Sequence, residues 1–146
     1  FGANRQIRDA IRAEFGFKKD DRVVLFLGTP RAHKGIFRLA AAIERLADPR
    51  LVLCIIGSPN DKRIENQLAS YKGARISTFP DQPWERLQEL INLADGVCLL
   101  QDPASPIAHY QMPAKLTDAL STCVPVAVTD VAPFKDIPSP SIVVKI

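Results

Sequence analysis

Three side chains that could bind an anion follow an apolar run near the start of the chain. Residues 23–27 are all apolar, Gly28 comes next, and Arg31, His33 and Lys34 follow within six residues. An arginine offers a forked set of donors to phosphate oxygens, and a lysine offers a compact point charge. The motif therefore suits a phosphate group. Because most loop cations are simply solvated, these residues by themselves leave both interpretations open.

A second candidate pair lies later in the chain, where Lys115 and Asp118 follow Pro113. Residues three apart share one face of a helix, and proline is well placed in a first helical turn. The pair could be a surface ion pair worth under ~1 kcal/mol. Alternatively, the lysine could reach anionic oxygens while the carboxylate accepts hydrogen bonds from a sugar diol.

Continuous apolar runs, several closed by glycine, predict the strands that position both clusters. Such runs are typical of parallel strands covered on both faces. We predict strands at 22–27, 51–56, 74–79, 96–100, 125–128 and 142–145. Helical spacing of apolar residues predicts helices at 3–15, 35–47, 62–71, 81–94 and 113–122.

This alternation predicts an α/β fold, a doubly wound Rossmann-like parallel sheet of about six strands with helices on both faces. Ligands of such sheets bind outside the carboxyl ends of the strands, at the topological switch point. The loops that face this edge are expected at 28–34, 57–61, 79–84 and 101–112. Both cationic clusters would then lie on one side of the molecule.

Length and composition exclude several classes of protein. The 146 residues, with a net charge of +3 and no basic run, fit one domain over residues 1–146 and give no support for nucleic-acid binding. Two histidines and no D-x-D pair argue against a metal site. Three unpaired cysteines indicate small core residues in a reducing compartment. No stretch is long and apolar enough to be a membrane span or signal peptide.

Two motifs together resemble the C-terminal, nucleotide-sugar-binding domain of GT-B fold glycosyltransferases of the retaining group 1 or family-4 type. One is the strand ending in Gly28 with its Lys-Gly helix start at Lys34. The other is the pattern Pro-x-Lys-Leu-x-Asp-Ala-Leu-x-x-x-Val-Pro-Val at 113–126. Leu-Ala-Asp-Gly-Val at 93–97 is similar to the opening of the family's fourth strand, so the resemblance covers about residues 22–130. It implies one half of a GT-B fold.

The resemblance assigns the diphosphate of the donor to Lys34, which matches the family's lysine, and to Arg31. The family's arginine usually follows the glycine directly, but Thr29 stands there, so Arg31 lies two positions late. Lys115 resembles the lysine of a subset of these enzymes and would add a further charge. These three cations are the expected catalytic residues, with Gly28 and Thr29 as donor-binding residues.

The family's pair of glutamates, eight residues apart, maps less closely. Asp118 occupies the second position, which implies a contact with the donor ribose, whereas Tyr110 replaces the first, which addresses the transferred sugar. The resemblance also implies that the base lies against the backbone at Phe79–Gln82. Trp84, near a helix start, is expected to be a packing residue.

The resemblance implies metal-independent, retaining transfer from a nucleotide-diphosphate sugar, with no cofactor. The expected acceptor is a sugar or lipid-linked sugar bound by an N-terminal domain absent from this chain, which begins at Phe1-Gly2 and is expected to be inactive alone. We expect a cytoplasmic protein of polysaccharide biosynthesis, peripheral at the inner face of the membrane. The alternatives are half of a GT-B sugar-nucleotide epimerase and a non-catalytic nucleotide-binding or receiver-like module, although a receiver needs acidic residues where Arg31 lies.

Overall fold

The computed structural model describes residues 5–134, 137 and 143–145. Its helices are α1 (Arg5–Glu14), α2 (Ile36–Leu46), α3 (Lys62–Ser70), α4 (Leu87–Asn92) and α5 (Ala114–Ser121). Its strands are β1 (Arg22–Leu27), β2 (Leu51–Ile56), β3 (Arg75–Phe79), β4 (Gly96–Leu99), β5 (Val126–Val128) and β6 (Val143–Lys145). Strands and helices alternate as the sequence predicts.

The six strands form one parallel sheet in the order β3-β2-β1-β4-β5-β6. β1 pairs with β2 over its whole length and with β4 at Val24 and Leu25. The strand order therefore reverses between β1 and β4, which is the topological switch point of a doubly wound sheet. This confirms the predicted fold class, and it places the loops after β1 and β4 side by side.

Helices cover both faces of the sheet, which explains why β1 and β2 are apolar without alternation. Successive side chains of a strand point to opposite faces. One face packs Val23 and Leu25 of β1 against α1, α4 and α5, and the other packs Phe26 against α2 and α3. The expectation of helices on both faces is confirmed.

A network of ion pairs joins the amino-terminal ends of β1 and β4. Asp95, just before β4, accepts hydrogen bonds from the Val23 N–H at 2.7 Å and from Arg12 Nη2 at 2.6 Å, and it also pairs with Arg8. Arg12 is buried, and its remaining donors reach the carbonyl oxygens of Leu93 and Asp21 at 2.8 and 3.1 Å. These bonds connect α1 to the two central strands, at the end of the sheet opposite the loops after β1 and β4.

The structure differs from the sequence prediction in short helical turns. A 3-10 turn, Trp84–Arg86, precedes α4, so the regular helix begins at Leu87. A second 3-10 turn, Pro106–His109, lies inside the segment predicted as an open loop. Cys123 is exposed and has a positive φ of 57°, so the prediction that it is a core residue is wrong; Cys54 is buried.

Candidate functional site

The cationic segment after β1 is a short helical turn and not an open loop. Residues Ala32–Lys34 form a 3-10 turn, and Gly35 then adopts a left-handed conformation, with φ of 69°, before α2 begins at Ile36. The His33 carbonyl accepts a hydrogen bond from the Asp102 N–H at 2.9 Å. The loops after β1 and β4 are therefore held together at the switch point.

A close approach of two glycines fixes the start of this segment. Gly28 has φ of 103° and Gly57, at the end of β2, has φ of 145°. A Cβ built on Gly57 would collide with the Gly28 carbonyl oxygen, and 3.0 Å would separate it from the Thr29 nitrogen. The chain can turn here only because residue 57 lacks a side chain.

A cavity of about 240 Å³, which we call the lysine cavity, opens at the carboxyl ends of β1 and β4. Its polar walls include His33 and Lys34 on one side and Lys115, in the first turn of α5, on the other. Gln101 and Gln111 also contribute polar groups to the lining. The structure thus brings together two of the three predicted catalytic cations around one cavity.

The cations at this cavity have no carboxylate partner among the described residues. No ion pair involves Arg31, Lys34 or Lys115, and the Lys34 ammonium donates instead to the Thr29 carbonyl at 3.1 Å. Burial lowers the pKa of Lys34, and the nearby charges of Arg31 and Lys115 lower it further. Burial and the same kind of repulsion, from Lys34 and Arg31, lower the pKa of His33. An anion in the cavity would relieve this repulsion.

A second hollow of about 160 Å³, which we call the tryptophan hollow, lies on the other side of Gly28. Trp84, Gln82 and Asp81 line it, with apolar residues of β1, β2 and α4 beneath. Leu27, Gly28 and Lys115 line both volumes. The two hollows are therefore neighbours that share Lys115 and the half-buried backbone at Leu27 and Gly28.

Five of the predicted site residues lie outside both linings: Arg31, Thr29, Phe79, Tyr110 and Asp118. Tyr110 is 87% exposed, and Arg31 is also exposed, although it is close enough to affect the pKa of Lys34. Thr29 contributes its carbonyl to Lys34. Asp118 is half-buried on α5, three residues after Lys115, and its carboxylate has no hydrogen-bond or ion-pair partner in the described part of the chain. The ligand contacts predicted for these residues stay predictions.

Phe79 ends β3 and faces away from the two hollows. Its ring makes edge contacts with Phe15, at 4.8 Å between centroids, and with Phe17 at 6.0 Å. Its carbonyl accepts a hydrogen bond from the Gly57 N–H at 3.0 Å. Phe79 therefore supports the backbone beneath the tryptophan hollow, which Asp81, Gln82 and Pro83 line. The contact of the Phe79–Gln82 backbone with a base stays a prediction.

The sequence analysis missed two residues of the site. Gln101 lies two positions beyond β4, at an edge where a polar residue directly after an apolar run is itself a signal for a ligand contact. Trp84 is 78% exposed and lines the tryptophan hollow, so the expectation that it is a packing residue is wrong. It is the first residue of the 3-10 turn Trp84–Arg86.

The described residues contain no group of three or more His, Cys, Asp or Glu side chains arranged to hold a metal ion. Within the same ranges, none of the helices is both long enough and apolar enough to cross a membrane.

Comparisons with known proteins agree on one family. The sequence model described as "Glycosyl transferases group 1" matches residues 7–140. A putative colanic acid biosynthesis glycosyl transferase, WcaI of Escherichia coli K12, is 27% identical over 77% of this chain and 28% of its own length. A putative teichuronic acid biosynthesis glycosyltransferase, TuaC of Bacillus subtilis 168, is 29% identical over 90% of this chain and 30% of its own length.

The fold agrees as well. The crystal structure of Anabaena Alr3699/HepE in complex with UDP and glucose matches 94% of this chain and 39% of that protein, with a TM-score of 0.75 and 14% identity. The chain spans less than a third of the length of the two curated relatives above. The resemblance inferred from the two motifs is confirmed at the level of family and fold. The chain belongs to the group 1 glycosyl transferases and has the Rossmann-like fold of one half of a GT-B enzyme.

Proposed function

We propose that this chain binds the nucleotide-diphosphate sugar of a retaining, metal-independent glycosyltransferase. The observation that carries the proposal is the set of cations around the lysine cavity, which lack carboxylate partners in the described structure. Cations held close together without counter-ions repel one another, and a diphosphate would neutralise them. The crystal structure of the Anabaena protein, which has a similar fold, contains UDP and glucose.

The two neighbouring hollows suggest how a donor would lie. The nucleoside would occupy the tryptophan hollow, where Trp84 offers an aromatic face and the Asp81–Pro83 backbone offers polar groups. The diphosphate would cross the shared wall at Gly28 and Lys115, and the sugar would enter the lysine cavity. Under this arrangement, Asp118 on the same helix as Lys115 would address the ribose.

The chemistry of sugar transfer fits this arrangement. When the bond between the sugar and the diphosphate breaks, negative charge builds on the departing phosphate oxygens. Fixed cations stabilise this charge most strongly where water is excluded. Lys34 and Lys115, with Arg31 at the rim, would supply the positive charge for which other transferases use a metal. We infer retention of the anomeric configuration from the resemblance to family-4 enzymes.

The acceptor belongs to the same proposal. A sugar or lipid-linked sugar would bind a part of the enzyme beyond this chain, in the cytoplasm and at the inner face of the membrane. Both curated relatives carry names from polysaccharide biosynthesis, and this supports a role in that process. An epimerase half would use the same donor groups with no acceptor, but the match to a transferase family favours transfer.

A titration tests the donor site directly. The 146-residue chain would be titrated with UDP-, GDP- and ADP-glucose while amide shifts are followed by NMR. We expect at least one donor to shift the amides of Gly28, Lys34 and Lys115 together, because these residues flank the shared wall. Shifts absent from all three residues for every donor would contradict the proposal.

A further inference from the structure

Gln101 is a buried polar residue of the lysine cavity that no role described above uses. It lies two residues beyond β4, is 9% exposed, and lines the cavity together with Lys34 and Lys115. The two preceding side chains, Leu99 at the end of β4 and Leu100, are apolar and offer no hydrogen bonds. The glutamine is therefore a polar residue directly after an apolar strand end.

The hydrogen bonds of the carboxamide define which atom faces which neighbour. The Nε2 atom of Gln101 donates to the Gln111 carbonyl at 3.2 Å. A carbonyl accepts and cannot donate, so the nitrogen must be the atom on that side. The Oε1 atom is then a buried acceptor with no hydrogen-bond partner among the described residues.

A buried acceptor that receives no hydrogen bond lowers the stability of the folded state, and native proteins contain few such atoms. Oε1 can only accept, so the group that satisfies it must carry a proton. The phosphate oxygens drawn to the neighbouring lysines have no proton to offer, whereas sugar hydroxyls do. Oε1 is closed off from solvent, but Gln101 lines the lysine cavity, and the last torsion of its carboxamide is soft. A rotation about this torsion would turn Oε1 toward a hydroxyl in the cavity.

We propose that Gln101 determines specificity for the transferred sugar. Its Oε1 accepts a hydrogen bond from one sugar hydroxyl, while Nε2 holds the 106–112 segment against the cavity through Gln111. This inference rests on the proposed donor site. A site built around a buried acceptor discriminates strongly against an analogue that lacks the matching hydroxyl, because the acceptor is then left unpaired.

The test compares Gln101→Met with the matched control Gln67→Met, an exposed glutamine on α3 outside both hollows. Calorimetry would measure the affinities of UDP, GDP and ADP and of their glucose donors for each variant. We expect Gln101→Met to weaken the preferred glucose donor by about tenfold, as for one lost hydrogen bond in a buried site, and the matching diphosphate by less than about twofold. The control should bind both ligands as the unchanged protein does.

Equal losses for diphosphate and donor, or no loss for either, would overturn the role of Gln101. Failure of the unchanged protein to bind any of the six ligands would instead overturn the proposed donor site. Equal affinity of the unchanged protein for diphosphate and donor would also overturn the inference, because the sugar would then make no contact. These outcomes keep the two proposals separate.

A second measurement needs no stable Gln101→Met protein. Monodeoxy forms of the bound glucose donor would be titrated into the unchanged chain and into Gln101→Glu, which keeps an acceptor oxygen. We expect one deoxy position to lose about tenfold in affinity in both proteins, while the added negative charge weakens diphosphate and donor alike. Equal affinities for all deoxy donors in the unchanged chain would contradict the inference.

Discussion

Arg12, at the amino ends of the central strands, and Lys34, at their carboxyl ends, are both partly or wholly buried cations. Arg12 meets Asp95 at 2.6 Å and two backbone carbonyls, so each of its three side-chain nitrogens has an acceptor. Lys34 meets one carbonyl, and its nearest charges, Arg31 and Lys115, repel it. The two ends of one sheet thus hold buried positive charge in opposite electrostatic settings.

The difference separates charge that stabilises the fold from charge that has no counter-ion in the described structure. A buried ion that is paired and hydrogen-bonded belongs to the folded state, whereas clustered cations without counter-ions cost stability. Asp21 and Arg75 repeat the first pattern, with Nη1 of the arginine 2.7 Å from the carboxylate. The residue types alone do not distinguish the two ends; the partners do.

Removing the paired carboxylate should have the largest effect. We expect Asp95→Ala to lower the free energy of unfolding by about 2–3 kcal/mol, because Arg12 and the Val23 N–H lose their acceptor while still buried. Urea denaturation measures the change, and Asp130→Ala, an exposed carboxylate with no ion pair in the described structure, is the control. Nucleotide affinity of the folded protein should not change; a stability loss no larger than that of the control would break the comparison.

Lys34→Ala should give the reverse pattern. Diphosphate affinity should fall about 10- to 100-fold, as for the loss of a charge-assisted contact, while the free energy of unfolding changes by less than about 1 kcal/mol. Calorimetry and urea denaturation measure the two quantities, with the exposed Lys72→Ala as the control. A loss of stability without a loss of affinity would place Lys34 with the structural cations.

The pH dependence of stability should differ between the two ends. The hydrogen bond from Arg75 holds the pKa of Asp21 below its usual value. Its stabilising effect is then complete above the pKa of about 3.9 in the unfolded chain and is lost as the pH falls through the lower folded value. Asp21→Asn should flatten the decline of the unfolding free energy below about pH 5.

Lys34 should affect the free energy of unfolding at alkaline pH. Burial lowers its pKa in the folded state, so the folded protein loses this proton before the unfolded chain does. Stability should therefore rise with pH as the unfolded value near ~10.4 is approached, and Lys34→Ala should remove that rise. Urea denaturation across the pH range checks both limits; an unchanged alkaline limb in Lys34→Ala would contradict the setting described for this lysine.

The smallest effect is expected at Tyr110, which replaces an acidic residue of the family pattern. It is 87% exposed and lines neither hollow. We expect Tyr110→Ala to change the affinity for a diphosphate or its glucose donor by less than about twofold, since an exposed ring with no ligand contact contributes little. A clear loss in calorimetry would show that segment 106–112 brings Tyr110 to the ligand.

The fold could be predicted from the sequence because its strongest signals are local. Unbroken apolar runs such as 51–56 are typical of strands covered on both faces, and the glycines that close them mark the carboxyl edge of the sheet. The short turns at Ala32–Lys34 and Pro106–His109 could not be predicted in this way. A single turn has no periodicity, and contacts distant in sequence, such as that of His33 with Asp102, stabilise it.

Residues of the candidate site could be predicted only where they belong to a sequence motif. Lys34 and Lys115 follow from residue type and position, and the structure places them on one cavity. Gln101 could not be found in this way, because its importance depends on a bond to Gln111 and on an oxygen left without a partner. Tyr110 is the opposite case. It occupies a position of the family pattern, but that position does not determine the direction in which its ring points.

The contact between Gly57 and the Gly28 carbonyl has a consequence for how this chain tolerates mutation. Gly57 lines neither hollow and carries no charge, so a survey of ligand contacts would score it as neutral. Yet a single added methyl group there would displace Gly28 and Thr29, which lead into the turn that carries Lys34. Residue 57 therefore constrains the position of Lys34 through shape alone.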